Sequence, residues 1–283
     1  MKKHKLKTLI AISGLVLTGG VSLFQAKNPE LLQRFTHQPS RFKGSSSQAT
    51  VQSSKTPSQT LAQSVLSDAI KEQLKGKIEY KGSGAFVING NKTDLNAQVN
   101  SSPYVQLTKV DSEGRAGLAN SLLNKSSRQY KDRTETRSNG KSNSTQMDPV
   151  GWHQMKLKSG SYSTLYNRGH SIAYALAGSI KGFDASEANP QNITTQTSWA
   201  NQANGKTNTG QNYYEGLVRK ALDKNQTVRY RVEPLYEGDN LVPSGTHLEA
   251  KSKDGSLEFN VFVPNVQPGM TIDYKTGFGT VKK

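Results

Sequence analysis

The segment Asn167-Arg168-Gly169-His170 holds the side chains in this chain that are best suited to chemistry. A neutral imidazole, with an ordinary pKa of about 6.5, can accept a proton from water near neutral pH. The Arg168 guanidinium is a planar fork that fits phosphate oxygens, and Gly169 allows a ligand to approach the backbone closely. The segment therefore indicates a general base beside an anion-binding group, although a triplet such as Arg-Gly-His also occurs by chance.

Downstream, Asn192 and Asn201 lie in segments rich in amides; Asn201 is a possible neutral metal ligand, and Glu215 can add a carboxylate. The chain has no Cys, which excludes thiolate nucleophiles, disulfides and Cys-based zinc sites. Any metal must then be held by oxygen or imidazole ligands, which favours a hard ion such as Mg²⁺. Each residue also has an ordinary structural interpretation. The two asparagines can cap helices or turns, and Glu215 can pair with Arg219 on the next helical turn.

Positive charge is in excess, with 37 Lys and Arg against 21 Asp and Glu and a formal net charge of +16. Residues 1–75 alone hold 11 Lys and Arg but only 3 Asp and Glu. Such a balance favours a polyanion or an anionic membrane as partner, and it is also an ordinary solubility feature of exported proteins. Arg229 and Arg231 share one face of a predicted strand. They could bind a substrate backbone of negative charge, although an exposed basic face is the ordinary explanation.

The N-terminus has the pattern of an export signal. Lys2, Lys3, Lys5 and Lys7 precede an uncharged run over residues 8–26 that is rich in Leu, Ile, Val and Ala. Phe24 stands where a cleavage site would need a small residue, and the run approaches the roughly 17–25 residues that span a bilayer. We therefore predict an uncleaved membrane anchor over residues 1–26 with the remainder outside the cell; a cleaved, secreted form is the alternative.

The remaining chain divides by composition into a tether and a domain. Residues 27–76 are rich in Ser, Gln, Thr and Lys and poor in large apolar side chains, which predicts a flexible tether. A short helix is predicted near its end, over residues 66–74. The folded domain is predicted to cover residues 77–283.

Hydrophobic periodicity predicts an α+β domain. Alternation of apolar residues predicts strands at 86–88, 104–110, 152–157, 228–232 and 257–261. Helical spacing predicts a short helix near residues 172–177 and a longer one over 209–222. The polar stretch 131–149 is predicted to be an exposed loop.

Several segments resemble one known family. They are Asn167-Arg168-Gly169-His170, Tyr104-Val105-Gln106-Leu107, Gly114-Arg115-Ala116-Gly117, Gly151-Trp152-His153-Gln154, Trp199-Ala200-Asn201-Gln202-Ala203, Gly210-Gln211-Asn212-Tyr213-Tyr214-Glu215 and Val228-Arg229-Tyr230-Arg231-Val232. The first resembles the Asp-Arg-Gly-His motif of the DNA/RNA non-specific endonucleases, which are ββα-metal nucleases. The whole set is most similar to the membrane-anchored nucleases of naturally competent Gram-positive bacteria.

The resemblance implies a fold and a set of residue roles. The fold would have a central antiparallel sheet with flanking helices over roughly residues 77–280. His170 would be the general base, and Asn201 would be the direct protein ligand of one Mg²⁺, for which Mn²⁺ could substitute. Glu215 would hold a water of that ion, Asn192 would be a supporting catalytic amide, and Arg168 would steady the phosphate or the active-site loop.

The implied activity is Mg²⁺-dependent, sequence-non-specific cleavage of DNA, and also of RNA, outside the cell. DNA uptake and degradation of extracellular DNA are both compatible with it. One residue departs from the family motif, because Asn167 stands where Asp is usual and lacks its negative charge. The alternative is accordingly a nuclease-like domain with weakened catalysis that binds nucleic acid at the cell surface. A purely structural basic cell-wall protein would account for the charge but not for the clustered His, Asn and Glu.

Overall fold

Antiparallel strands make up most of the regular structure. The computed structural model describes residues 55–131, 146–158 and 160–282. Its strands are β1 (Ile78–Tyr80), β2 (Phe86–Ile88), β3 (Tyr104–Leu107), β4 (Ala119–Leu123), β5 (Tyr166–His170), β6 (Ile193–Thr197), β7 (Asn204–Gly205), β8 (Asn208–Thr209), β9 (Val228–Leu235), β10 (Gly245–Ser252), β11 (Glu258–Pro264), β12 (Met270–Ile272) and β13 (Gly279–Val281). Its α-helices are α1 (Gln59–Gln63), α2 (Asp68–Leu74), α3 (Tyr174–Ala177), α4 (Ser198–Gln202) and α5 (Gln211–Asp223).

Seven of the strands form the main sheet, in the order β1-β2-β11-β10-β9-β4-β3. Every neighbouring pair in it is antiparallel. Helix α5 covers one face, and its buried Tyr214 ring lies 5.2 Å from the ring of Phe259 on β11. Alternate residues of β9, such as Val228, Tyr230 and Val232, are buried in the same core. The predicted α+β class with a central antiparallel sheet is confirmed.

The folded part of the chain begins before the predicted boundary between residues 76 and 77. Ser58 caps α1 and Ser67 caps α2, each by accepting a hydrogen bond from a backbone N–H of the first turn. Ile70 and Leu74 of α2 are buried in the main core. Residues 55–76 are therefore corrected from tether to domain, because a narrow apolar stripe docks a segment whose composition is otherwise polar.

Two regions of predicted structure lie outside the described residues. They are the N-terminal region, with the anchor at 1–26 and the tether up to residue 54, and residues 132–145 of the predicted loop 131–149. In the described part of the chain, no helix is long and apolar enough to cross a membrane.

The strands predicted at 86–88, 228–232 and 257–261 are present as β2, β9 and β11, and the helix predicted at 209–222 is present as α5. The strand predicted at 152–157 is wrong, since only isolated bridge residues occur there, at Lys156, which pairs with Thr164, and at Leu157. Two backbone hydrogen bonds of 2.9 Å link this segment to residues 163–165, and the amide of Gln154 adds to them. It accepts from the Tyr166 N–H at 3.0 Å and donates to the Tyr166 carbonyl at 2.7 Å.

The stretch after β11 holds the small β5–β6 sheet and α4 against the main sheet. Asn265 is buried; its Oδ1 accepts from the Thr197 N–H at 2.7 Å, and its Nδ2 donates to the Thr195 carbonyl at 3.0 Å. Gln267 accepts from the Trp199 N–H at 2.9 Å. Two side-chain amides thereby replace the strand ladder that β6 would otherwise need on this side.

Asn265→Ala should lower the free energy of unfolding by about 3 kcal/mol, because it leaves buried backbone groups of β6 without partners. Denaturant unfolding of the variant measures this loss. The matched control is Asn100→Ala at an exposed position, for which a change within about 0.5 kcal/mol is expected. Equal stability of the two variants would contradict the role given to Asn265.

Candidate active site

The β5–β6 pair brings the motif residues into register. Asn167 lies opposite Gln196, and His170 lies opposite Ile193. Gly169 is required here by close packing, because a Cβ at this position would collide with the side chain of Gln196. The short helix α4 follows β6 directly and carries Asn201, and α5 packs against α4 with Glu215 in its second turn.

These elements surround an open cavity of about 580 Å³. Five of the predicted site residues line it: Asn167, Arg168, His170, Asn201 and Glu215. Arg219 and Asn212 of α5 form part of the wall. The predicted motif residues and the predicted metal-binding residues thus meet in one place, although up to 48 positions separate them in the chain, from 167 to 215.

A chain of side-chain amides connects the hairpin to α5. The Nδ2 of Asn167 donates to the Oδ1 of Asn201 at 3.3 Å, and the Nδ2 of Asn201 donates to the Oε1 of Gln196 at 2.9 Å. Gln196 then donates to the Oε1 of Gln211 at 3.0 Å, and Gln211 donates to the Oε1 of Glu215, also at 3.0 Å. Every bond points in the same direction, toward the carboxylate.

The sequence-based prediction did not include Gln196 and Gln211, which form the middle of this chain. Both are buried. The signal available for Gln211 was its position one helical turn before Glu215, where side chains share a face. For Gln196 no signal was available, because the run Ile-Thr-Thr-Gln-Thr of β6 does not read as a buried strand.

The carboxyl group of Glu215 is buried. Burial raises the pKa of its carboxyl above the ordinary value of 4.5, while the hydrogen bond from Gln211 and the charge of Arg219 act in the opposite direction. The Arg219 guanidinium is 3.5 Å from the carboxylate and is also held by Asn212 at 2.8 Å. The predicted ion pair between Glu215 and Arg219 is thus present, and it coexists with the cavity position.

His170 lies at the end of β5 with its Nε2 3.2 Å from the carbonyl oxygen of Ala185. A carbonyl can only accept, so this contact is a hydrogen bond when the proton is on Nε2. In that tautomer Nδ1 is the nitrogen that can take up a proton. The Gln211 amide holds the backbone carbonyl of the same residue at 2.6 Å, which ties the histidine to α5.

Arg168 joins β5 to the segment before it. Its Nε donates to the carbonyl of Met147 at 2.6 Å, and its Nη2 contacts the carboxylate of Asp148 at 2.6 Å. The guanidinium also lies 4.7 Å from the centre of the Trp152 ring. Of the two roles implied for Arg168, these contacts favour steadying the active-site loop.

Asn192 does not line the cavity. It is fully buried, and its amide accepts from the Ile172 N–H at 2.9 Å and donates to the Ile172 carbonyl at 3.1 Å. The backbone carbonyl of Asn192 accepts from Ser171 at 2.8 Å. The asparagine therefore fixes the chain directly after His170, and its role as a supporting catalytic amide stays a prediction.

Arg229 and Arg231 lie away from this cavity. They do share one face of β9, but Tyr230 between them points into the core under α5, so the arginines face the opposite side of the sheet. Arg231 pairs there with Glu249 and Asp94, at 2.5 and 3.1 Å. The register of β9 thus directs them away from this cavity, and their predicted role in substrate binding stays a prediction.

Residues 82–279 match the family model described as DNA/RNA non-specific endonuclease. This match covers more than half of the chain. The chain belongs to this family. The prediction of a metal-dependent endonuclease is thereby confirmed.

Two similar solved structures are of NucA from Streptococcus agalactiae, which shares 47% identity with this endonuclease. The structure with a magnesium ion bound has a TM-score of 0.70 and covers 80% of this chain and 97% of NucA. The structure without metal has a TM-score of 0.69, with 78% and 95% covered. The Sda1 nuclease with a bound zinc ion is similar in fold, at 19% identity and a TM-score of 0.54, with 71% of this chain and 98% of Sda1 covered.

The donor atoms of the endonuclease cavity fit a divalent ion that keeps most of its water. Within the described residues, His, Cys, Asp and Glu form no group of three or more that could hold a metal ion. Asn201 supplies a neutral amide oxygen and Glu215 a carboxylate, and both line a cavity with room for water. Hard ions accept such oxygen ligands and lose water reluctantly.

Glu215→Gln tests how ionisation of the buried carboxyl changes the free energy of unfolding. Because the pKa of Glu215 is raised in the folded state, the stability that this group contributes is complete below its unfolded-state pKa and is lost as the pH rises through the folded-state pKa. From about pH 5 to about pH 8 in EDTA, the wild type should therefore lose stability relative to Glu215→Gln. Urea unfolding at both pH values measures this difference, with Glu72→Gln, at an exposed position, as the control. Parallel pH profiles for the wild type and Glu215→Gln would contradict it.

Proposed function

We propose that this endonuclease uses Mg²⁺ to hydrolyse phosphodiester bonds of DNA and RNA without reading their sequence. The observation that carries the proposal is the meeting of His170, Asn201 and Glu215 in one cavity. A proton acceptor and two oxygen ligands within one open site supply what metal-assisted hydrolysis requires. The magnesium-bound structure of the 47% identical NucA supports the choice of ion.

The residues of the chain divide the work as follows. His170 takes a proton from the attacking water at Nδ1, while its Nε2 stays bonded to Ala185. Asn201 would hold the ion directly, and Glu215 would orient one of its waters. The ion supplies positive charge against the negative charge that develops on the phosphate oxygens. Arg219 adds a second positive group at the wall of the cavity.

Weak sequence preference follows from the character of the site. Its cationic groups suit phosphate oxygens, which are the same at every position of a nucleic acid. We further propose that the enzyme acts outside the cell, held to the membrane through the predicted anchor at residues 1–26 or secreted after cleavage. It would serve either DNA uptake or the degradation of extracellular DNA.

One observation favours a second candidate function, a surface protein that binds nucleic acid with weakened catalysis. Asn167 lacks the negative charge that the family motif usually supplies, so the ion would be held less tightly. This candidate predicts binding of DNA with cleavage near the background rate. The digestion assay below separates the two functions.

His170→Ala should lower the rate of plasmid digestion in Mg²⁺ by about 10²- to 10⁴-fold, because the water loses its proton acceptor. His153→Ala is the matched control. His153 is exposed, does not line the cavity and stacks on Phe278, so its loss should leave the rate close to that of the wild type. EDTA should abolish digestion by the wild type. Cleavage that persists in both His170→Ala and EDTA would rule out this mechanism, and a wild type that binds but does not cut would favour the second candidate.

The negative charge that Asn167 lacks would lie next to the proposed metal ligand. Its Nδ2 donates to the Oδ1 of Asn201, the oxygen that we assign to the ion. An aspartate could not donate and would place a second oxygen in front of that Oδ1. Asn201 cannot relieve this repulsion between oxygens by rotating its amide by half a turn, since its Nδ2 donates to Gln196 at 2.9 Å. A cation between the two oxygens would relieve it.

Asn167→Asp should therefore lower the Mg²⁺ concentration for half-maximal cleavage by roughly ten-fold, which corresponds to about 1.4 kcal/mol of added attraction. It should also lower the melting temperature in EDTA and raise it when Mg²⁺ is added. The control is Asn212→Asp, which adds the same charge to the same cavity but beside Arg219, at a donor contact of 2.8 Å. An Asn167→Asp titration that coincides with that of the wild type, or with that of Asn212→Asp, would contradict the role of position 167.

A further inference from the structure

A second depression lies on α5 beside the catalytic cavity and is named here the α5 groove. Its volume is about 470 Å³. The residues that matter for its chemistry are Arg128, Lys206, Tyr213, Gly216, Arg219 and Lys220. Gly216 leaves space in the groove, because it has no side chain.

The α5 groove is strongly cationic. Arg128, Lys206, Arg219 and Lys220 line it, and Asp223 is the one acidic residue among the described residues of its lining. Lys206 and Lys220 are exposed, and neither ammonium has a carboxylate partner in the part of the chain that the structure describes. Two positive charges are thus available to an anion from outside.

Arg128 places further positive charge in the wall of the groove. Its side chain is only 9% exposed and pairs with Asp223 at 3.4 Å. Its Nη1 also donates to the carbonyl of Arg219 at 3.3 Å. Its buried Nε–H has no acceptor among the described residues. The guanidinium also lies 4.7 Å from the centre of the Tyr130 ring. Its charge is thus held in a fixed position in the wall, which distinguishes this groove from a surface of mobile lysines.

The α5 groove adjoins the catalytic cavity at Arg219. Arg219 lines both of them, and its neighbours Asn212 and Tyr213 line the cavity and the groove respectively. From Asn212 to Lys220 the helix axis rises about 12 Å, at about 1.5 Å per residue. A span of that length has room for more than one phosphate of a strand.

We propose that the α5 groove binds the phosphates of the strand that is cut, on one side of the scissile bond. Lys206 and Lys220 contact successive phosphates, Arg128 provides fixed positive charge beneath them, and the half-buried Tyr213 ring forms the wall toward the sugars and bases. This inference rests on the proposed function, since it extends the substrate path from the catalytic cavity. Lys206 and Lys220 would then contribute to substrate affinity and take no part in the chemical step.

The test is the double variant Lys206→Gln/Lys220→Gln in the full chain. Binding of a labelled single-stranded DNA of about 20 nucleotides is measured in EDTA across NaCl concentrations. Loss of two phosphate contacts should reduce the slope of log K against log salt by about 1.4, which corresponds to roughly 25-fold weaker binding at 0.1 M salt. In Mg²⁺, the KM for the same DNA should rise while kcat stays unchanged.

The matched control is Lys71→Gln/Lys81→Gln, which removes the same net charge at exposed lysines near β1, at the edge of the main sheet. Its salt slope should equal that of the wild type. The proposal is overturned if the two double variants behave alike, or if the groove variant lowers kcat instead of raising KM. Failure of the proposed function would look different, because the wild type would then bind DNA in EDTA but not cut it in Mg²⁺.

Discussion

The site depends on a one-way chain of amide hydrogen bonds that ends on a buried carboxylate. Glu215 accepts from Gln211, and because a carboxylate can only accept, it sets the direction of every bond behind it. Reversal of any amide in the chain would place two donors or two acceptors face to face. The oxygen of Asn201 is therefore aimed at Asn167 and the cavity by a charge three hydrogen bonds away. A neutral amide, which we propose as the metal ligand, is thereby oriented by a charged carboxylate.

This arrangement explains why the surrounding fold must be exact in register. Gln196 belongs to β6 and Gln211 to α5, so the chain of amides is complete only when the hairpin and the helix are docked together. Asn265 and Gln267 hold β6 and α4 to the main sheet, and Asn192 holds the backbone after His170. In this site, side-chain amides orient the proposed ligand and hold the strands in place, which are roles that acidic clusters and backbone ladders have in other proteins. The catalytic cavity therefore has few carboxylates. A polyanionic substrate meets less repulsion there.

The motif around His170, the segment with Asn201 and helix α5 with Glu215 could be predicted from the sequence because each is a short contiguous pattern. The elements between them could not. Strand β6 is buried along its whole length, yet four of its five residues are polar, and β10 likewise buries His247 and Glu249. Hydrophobic periodicity cannot identify strands whose buried polar groups are satisfied by distant partners. The same limit applies to Arg229 and Arg231, for which alternation predicted a shared face but not which face of the sheet it would be.

The central claim is that Asn201, oriented by the amide chain, is the direct protein ligand of the catalytic ion. A crystal soaked in Mn²⁺ tests it through the anomalous signal of that metal. We expect one peak in the cavity, about 2.2 Å from the Oδ1 of Asn201, with a water between the metal and Glu215. A peak bonded directly to Glu215 and not to Asn201, or no peak in this cavity from an active enzyme, would contradict it.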